Sequence, residues 1–255
     1  SCFYKKLWRH ILILKSKFSI FLIPSIIFAN TFKNKMLKKY RLFAFIMFLI
    51  SLTTIYMFNN VLTPEKKLPI YQPNMVKFQL VDSTIQHIKR FHKIEDFKLF
   101  NQNDKIVTNE TYDGKIYIAD FFFTTCPGIC PIMKDNMIIL QNEFIDDDEV
   151  LLLSHTVTPE IDSVSVLKKY SQEKGVVDSK WNMVTGDKKQ IYNLARKSYL
   201  VAEDIEGSDF YGMIHTENFV LVDSQRRIRG FYDGTDSGVM DNLIEDIKIL
   251  KKEDN

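Results

Sequence analysis

The chain has 255 residues, of which 45% are hydrophobic and 26% charged, and its formal net charge is +2. That composition excludes a disordered chain. Three cysteines exclude a disulfide framework, and the near-neutral total excludes a general nucleic-acid binder. The charges are nevertheless segregated. Residues 1–62 hold ten Lys or Arg and no acid, Glu65 is the first carboxylate, and the remainder carries 24 basic against 32 acidic residues. A basic head on an acidic body points to membrane targeting followed by a soluble domain.

Residues 1–41 form the basic N-terminal segment. Residues 18–32 are apolar but broken by Pro24, and a second span there would reverse the topology. Residues 1–35 read as an upstream extension, in which Cys2 has no assigned role. A start at Met36, just before Lys38, Lys39 and Arg41, gives the layout of a signal anchor. Residues 42–62 carry no charge over 21 positions, enough for a helix to cross a hydrocarbon core of roughly 30 Å. No small-residue cleavage site follows, so an uncleaved transmembrane anchor is expected. The preceding cations place the N-terminus in the cytoplasm. The expected protein is single-pass in the cytoplasmic (inner) membrane, with its soluble domain on the extracytoplasmic side. Pro64, Pro69 and Pro73 mark residues 63–90 as an extended linker; His87 within it and His92 just beyond it read as solvated.

Residues 91–255 read as one domain. Residues 97–101 and 105–108 form a hairpin around Gln102-Asn103-Asp104. Residues 115–123 (KIYIADFFF) are a strand buried on both faces. Residues 131–143 are a helix whose Met133, Met137 and Leu140 stripe is core rather than a thioether copper site. The run Asp146 to Glu149 is a solvated loop, and residues 149–154 a second buried strand. Pro159 opens the next helix, with Ile161, Val164, Leu167 and Tyr170 on its apolar face and Gly175 at its end. Residues 181–185 are a short strand, and Asp187 caps a helix carrying Ile191, Leu194 and Ala195. Residues 219–223 and 228–232 form a hairpin, and Val239, Leu243, Ile247 and Leu250 mark the last amphipathic helix. This order predicts an α/β sheet with helices on both faces.

The sharpest chemical feature is TTCPGICP, residues 124–131. Pro131 suits a first helical turn and disfavours helical geometry at the residue before it. Cys130 is therefore expected to cap the helix, with Cys126 in the loop. Both sulfurs then lie near a helix N-terminus, whose field favours thiolate, the form that binds metal and attacks disulfides. Two inert structural cysteines fit a proline-bracketed strand-to-helix turn poorly.

With this motif the chain resembles the Sco/SenC family of copper-binding, thioredoxin-like proteins over about residues 90 to 250. The resemblance rests on Cys126 to Pro131 and the aromatic strand before it. It extends to Val184-Thr185-Gly186-Asp187, to HTENFVLVD from His215, and to FYDG at 231–234. It implies a thioredoxin-like sheet flanked by helices and a copper site formed by Cys126, Cys130 and His215, the last 85 residues beyond Cys130. The donor chemistry agrees, because thiolates select Cu(I) and imidazole suits copper. Zinc is the competitor, since two Cys and one His plus water is also a zinc set; the resemblance favours copper. The chain departs from the family's SxDPxxD pattern by having Thr158 at the first Asp, while Asp162 matches the second. His155 is a weak candidate for support around the site, and Asp120 a candidate for orienting a thiol or pairing with a lysine.

The resemblance implies a metallochaperone rather than an enzyme, delivering copper to the copper-site subunit of a respiratory oxidase. Tethering raises effective concentration at such a client. The alternative is a thiol–disulfide oxidoreductase, with Cys126 as nucleophile and Cys130 as resolving thiol. The usual redox motif has two intervening residues rather than three, and that chemistry has no need of His215. A thiol peroxidase ranks last, as no arginine adjoins the nucleophile. Closing Cys126 and Cys130 into a disulfide would remove both thiolates, so copper loading is expected to need the reduced pair.

Overall fold

The computed structural model describes residues 40–62, 66–77, 80–202 and 216–254, in two units divided after Glu65. The first unit contains helix α1, Arg41–Leu62. Its uncharged run is dominated by apolar side chains. The Thr53 and Thr54 hydroxyls donate to the carbonyls of Leu49 and Ile50, at 3.0 and 2.6 Å, so these two hydroxyls are satisfied within the helix. The stretch Arg41–Asn59 is long and apolar enough to cross a membrane, and none of it is buried by protein.

The second unit is built on a seven-stranded sheet in the order β2-β1-β5-β4-β3-β6-β7. The strands are β1 Lys98–Asn101, β2 Ile106–Thr108, β3 Ile116–Phe122, β4 Val150–Thr156, β5 Trp181–Thr185, β6 Asn218–Val222 and β7 Ile228–Asp233. β3, β4 and β5 run parallel, while β1, β2, β6 and β7 pair antiparallel with their neighbours. All seven residues of β3 are buried, as its continuous apolar run requires of a strand covered on both faces.

Alternation along the strands divides the core in two. On one face Ile118, Phe122, Leu152 and Trp181 meet helices α2 (Cys130–Glu143), α3 (Val164–Lys174) and α5 (Ser237–Asp254). Met133 and Met137 lie fully buried there, as their stripe predicts. On the other face Tyr117, Ala119, Phe121 and Leu153 meet Ile191 and Tyr192 of α4 (Lys188–Asn193), with Phe97 and Val81. Asp187 caps α4 by accepting from the Gln190 N–H at 2.7 Å. Gly175 closes α3 with φ +74, the left-handed geometry that favours glycine.

Three expectations are corrected. Helix α3 begins at Val164, not at Pro159, because the Ser163 side chain caps it by accepting from the Val166 N–H. Thr158 to Asp162 form a turn in which the Ile161 and Asp162 N–H groups both reach the Thr158 carbonyl. Ile161 is consequently exposed. Residues 66–77, read from the sequence as part of a linker, are bonded to helix α5 and the edge strand β7. The Leu68 N–H donates to Glu253 Oε1 at 2.9 Å and the Tyr71 N–H to the Ile228 carbonyl at 2.8 Å. The buried Arg229 guanidinium donates to the carbonyls of Leu68 and Pro69 while pairing with Asp223 and Glu253. His92 is buried, not solvated: its Nε2 lies 2.8 Å from the Ser198 carbonyl, and burial lowers its pKa.

Candidate metal site

The motif loop leaves the C-terminal end of β3 and runs into α2. Its backbone tightens at once, the Cys126 N–H donating to the Phe123 carbonyl at 3.3 Å. Cys130 is the first residue of α2, and Ile129 is the N-cap, so the expected cap position is corrected by one residue. The bias of Pro131 against helical geometry at Cys130 yields to tertiary packing, which buries the Cys130 side chain with Phe122 and Met133. Pro131 itself costs nothing in the first turn, where its missing N–H has no intrahelical partner.

The two sulfurs are unlike. Burial pushes the Cys130 thiol up to about 12, and the adjacent Cys126 sulfur and Asp120 add to the rise. Burial acts on half-exposed Cys126 in the same direction. There it is outweighed by donors, namely the Cys130 thiol and the backbone N–H groups of Cys130, Gly128 and Ile129, and the net shift is downward. The two thiols are therefore shifted in opposite directions, Cys126 toward the thiolate and Cys130 away from it.

Beneath Cys130 lies a cavity of about 10 Å³ shared by Asp120, Ser154, Tyr170 and Trp181. The buried Asp120 carboxylate accepts from the Ser154 hydroxyl, which in turn accepts from Trp181 Nε1 at 2.8 Å. Asp120 is thus held by Ser154 rather than by a lysine, and burial raises its pKa to about 7.

Asp162 anchors the loop from the other side. Fully buried, it accepts from the N–H and hydroxyl of Thr124 and from the hydroxyls of Thr156 and Thr158. The loop residue two before Cys126 is thereby tied to the end of β4. Thr158, which stands where the resemblance expects an Asp, serves as one of these donors. The threonines at 124 and 156 carried no recognised signal in the sequence, nor did Ser154 or Trp181.

His155 faces away from the site. It pairs in register with Phe121 and stacks on that ring at 4.8 Å, with Phe97 and Tyr199 edge-on, in the core opposite Cys130. Its Nδ1 lies 3.3 Å from the Asp120 carbonyl, and its Nε2 has no hydrogen-bond partner among the described residues. Burial lowers its pKa to about 4, so it is a neutral core residue and no ligand for a metal at the cysteines. His215 lies outside the described residues, as does Cys2. The described chain resumes at Thr216, and β6 begins beside the end of β3 from which the motif loop departs. Among the described residues, no cluster of three or more His, Cys, Asp or Glu side chains could hold a metal.

A sheet with a parallel centre and a thiol pair at its strand-to-helix loop define a thioredoxin-like dithiol protein. The SCO1/SenC family model matches residues 85–251, and the chain belongs to that family. The SCO1 protein homolog of Bacillus subtilis (strain 168) is 32% identical over 160 residues, which are 62% of this chain and 82% of that protein. A Stutzerimonas stutzeri protein named for copper binding is 28% identical over 150 residues, 56% of this chain and 70% of its own length. The solved structure of BsSco superposes with a TM-score of 0.54 at 31% identity, covering 62% of this chain and 93% of that one. BsSco is described as a member of the Sco family of cytochrome c oxidase assembly proteins in which a disulfide switch is identified.

Proposed function

We propose that the protein is a copper metallochaperone, anchored through residues 42–62, that delivers its cargo to the copper-site subunit of a respiratory oxidase. The observation that carries this reading is the pair of free cysteines, Cys126 and Cys130, brought together where β3 runs into α2 at the mouth of the sheet. Thiolate donors select Cu(I). Both cysteines become thiolate donors as copper displaces their protons, Cys126 the more readily of the two. His215 completes the set. Its nearest described neighbour, Thr216, leads into β6 at the end of the sheet that carries the motif loop. Space above the loop is open, since a Cβ on Gly128 would meet nothing within 4 Å. The family supports the client: BsSco is placed among oxidase assembly proteins, and the Stutzerimonas relative is named for copper. Nucleic acid has no part in this reading.

The test is copper titration of the reduced full chain under anaerobic conditions. One Cu(I) per chain is expected. Cys126→Ala or Cys130→Ala should abolish tight binding, whereas His215→Ala should weaken it with the fold intact. Unchanged affinity in Cys130→Ala would overturn the reading. The thiol asymmetry also favours a second reading, a thiol–disulfide oxidoreductase with Cys126 as nucleophile and Cys130 as resolving thiol. Repeated metal-free turnover of disulfide substrates, unaffected by His215→Ala and inhibited by one equivalent of Cu(I), would select it.

A further inference from the structure

Phe91 is the most exposed large apolar side chain among the described residues, at 92%. Its backbone has φ +65, a region that a bulky side chain adopts only when its surroundings impose it. The surroundings here are plain. His92 is drawn inward by its N–H, which donates to Gln72 Oε1 at 3.0 Å, and by its ring, which meets the Ser198 carbonyl. Ile94 is buried, and its N–H donates to the Arg226 carbonyl at 2.9 Å. Turning Phe91 inward would break these contacts. The fold therefore holds an aromatic ring in water beside exposed Lys89, Arg90 and Lys93.

We propose that the tip formed by residues 89–93 docks on an anionic phospholipid surface, with Phe91 among the headgroups and the three cations on lipid phosphates. The proposal rests on the reading of α1 as a membrane anchor. Residues 83–94 contain no acid, within a body that is otherwise net negative. Of the acids that flank this stretch, Asp82 lies 3.5 Å from Lys197 and Asp96 lies 2.6 Å from Arg226, which leaves exposed Glu95 against the three cations. An aromatic ring ringed by Lys and Arg is the composition that binds the interface of anionic bilayers.

Position within the domain agrees. Ile94 contacts the turn between β6 and β7. The chain arriving from residue 66 is bonded to Ile228 and Arg229 at that same end of the sheet. Gln72, the partner of His92, is ten residues beyond Leu62, a chain length that spans at most about 35 Å. The anchor thus keeps the tip within reach of lipid at high effective concentration, which favours a bilayer over an acidic protein surface. The motif loop leaves the opposite end of the sheet, so docking leaves the cysteines free.

The experiment compares the full chain and its Phe91→Trp variant, each reconstituted into vesicles of phosphatidylcholine with or without phosphatidylglycerol, using brominated acyl chains as quencher. Wild type supplies the background of Trp8 and Trp181. In anionic vesicles the emission added by Phe91→Trp should be blue-shifted and quenched by bromolipid. Each of Lys89→Gln, Arg90→Gln and Lys93→Gln should lower the docked-to-undocked ratio about fivefold. Added emission that stays water-exposed in anionic vesicles would overturn the proposal. So would a blue shift without bromolipid quenching, which marks a protein contact. Carbonate extraction of the same vesicles reads the anchor separately. A chain that resists extraction but shows water-exposed emission defeats the docking alone, whereas a chain stripped by carbonate defeats the anchor and the docking together.

Discussion

Asp120 and His155 sit on facing sides of the central strands and give the fold opposite responses to pH. Burial raises the Asp120 pKa from 3.8 to about 7. The fold therefore prefers its protonated form, and the associated stability is full below about 3.8 and lost as pH rises through about 7. Burial lowers the His155 pKa from 6.5 to about 4. The stability linked to neutral His155 is full above about 6.5 and lost as pH falls through about 4. Each shift corresponds to something on the order of 4 kcal/mol. Asp120→Asn should therefore gain stability on wild type by about that amount between pH 4 and pH 8, measured by urea denaturation at both. His155→Phe should spare the acid side instead. An equal wild-type-to-Asn difference at the two pH values would show that Asp120 is not held protonated.

Among the elements, the segment across β7 is held by a side chain. Arg229 is 3% exposed and joins the Leu68 and Pro69 carbonyls to Asp223 and Glu253. Arg229→Ala leaves those carboxylates without their buried partner, at a cost of roughly 3–5 kcal/mol. Thermal unfolding should fall accordingly, and trypsin should cut faster after Lys66 and Lys67. Unchanged stability and cleavage would mean that the other bonds suffice. This attachment was illegible in the sequence, because its donor stands 160 residues beyond Pro69 and leaves no local pattern. The strands were legible: the apolar run of β3, the β6–β7 hairpin and the Met133–Met137 stripe each carry their periodicity in a short window. The start of α3 was misread because proline at 159 and serine at 163 are both good helix openers. Only the competing bonds of Asp162 decide between them. The thiol motif was visible as spacing, but its asymmetry was not, since the burial of Cys130 comes from Phe122 and Met133 packing against it.

At the scale of the whole molecule, the segregation of charge carries the topology prediction. With the basic flank in the cytoplasm, protease added outside spheroplasts should digest the domain that begins at residue 66, and protection would refute extracytoplasmic copper delivery. The route of the chain through the domain has a mechanical consequence. The backbone comes in beside Ile228 and the cysteines sit at the other end of the sheet, separated by the seven residues of β3, about 23 Å of strand. A pull on the chain at residue 66 is therefore borne by the bonds of Leu68, Pro69 and Tyr71 to α5 and β7, and it does not reach the thiol loop at the far end of the sheet.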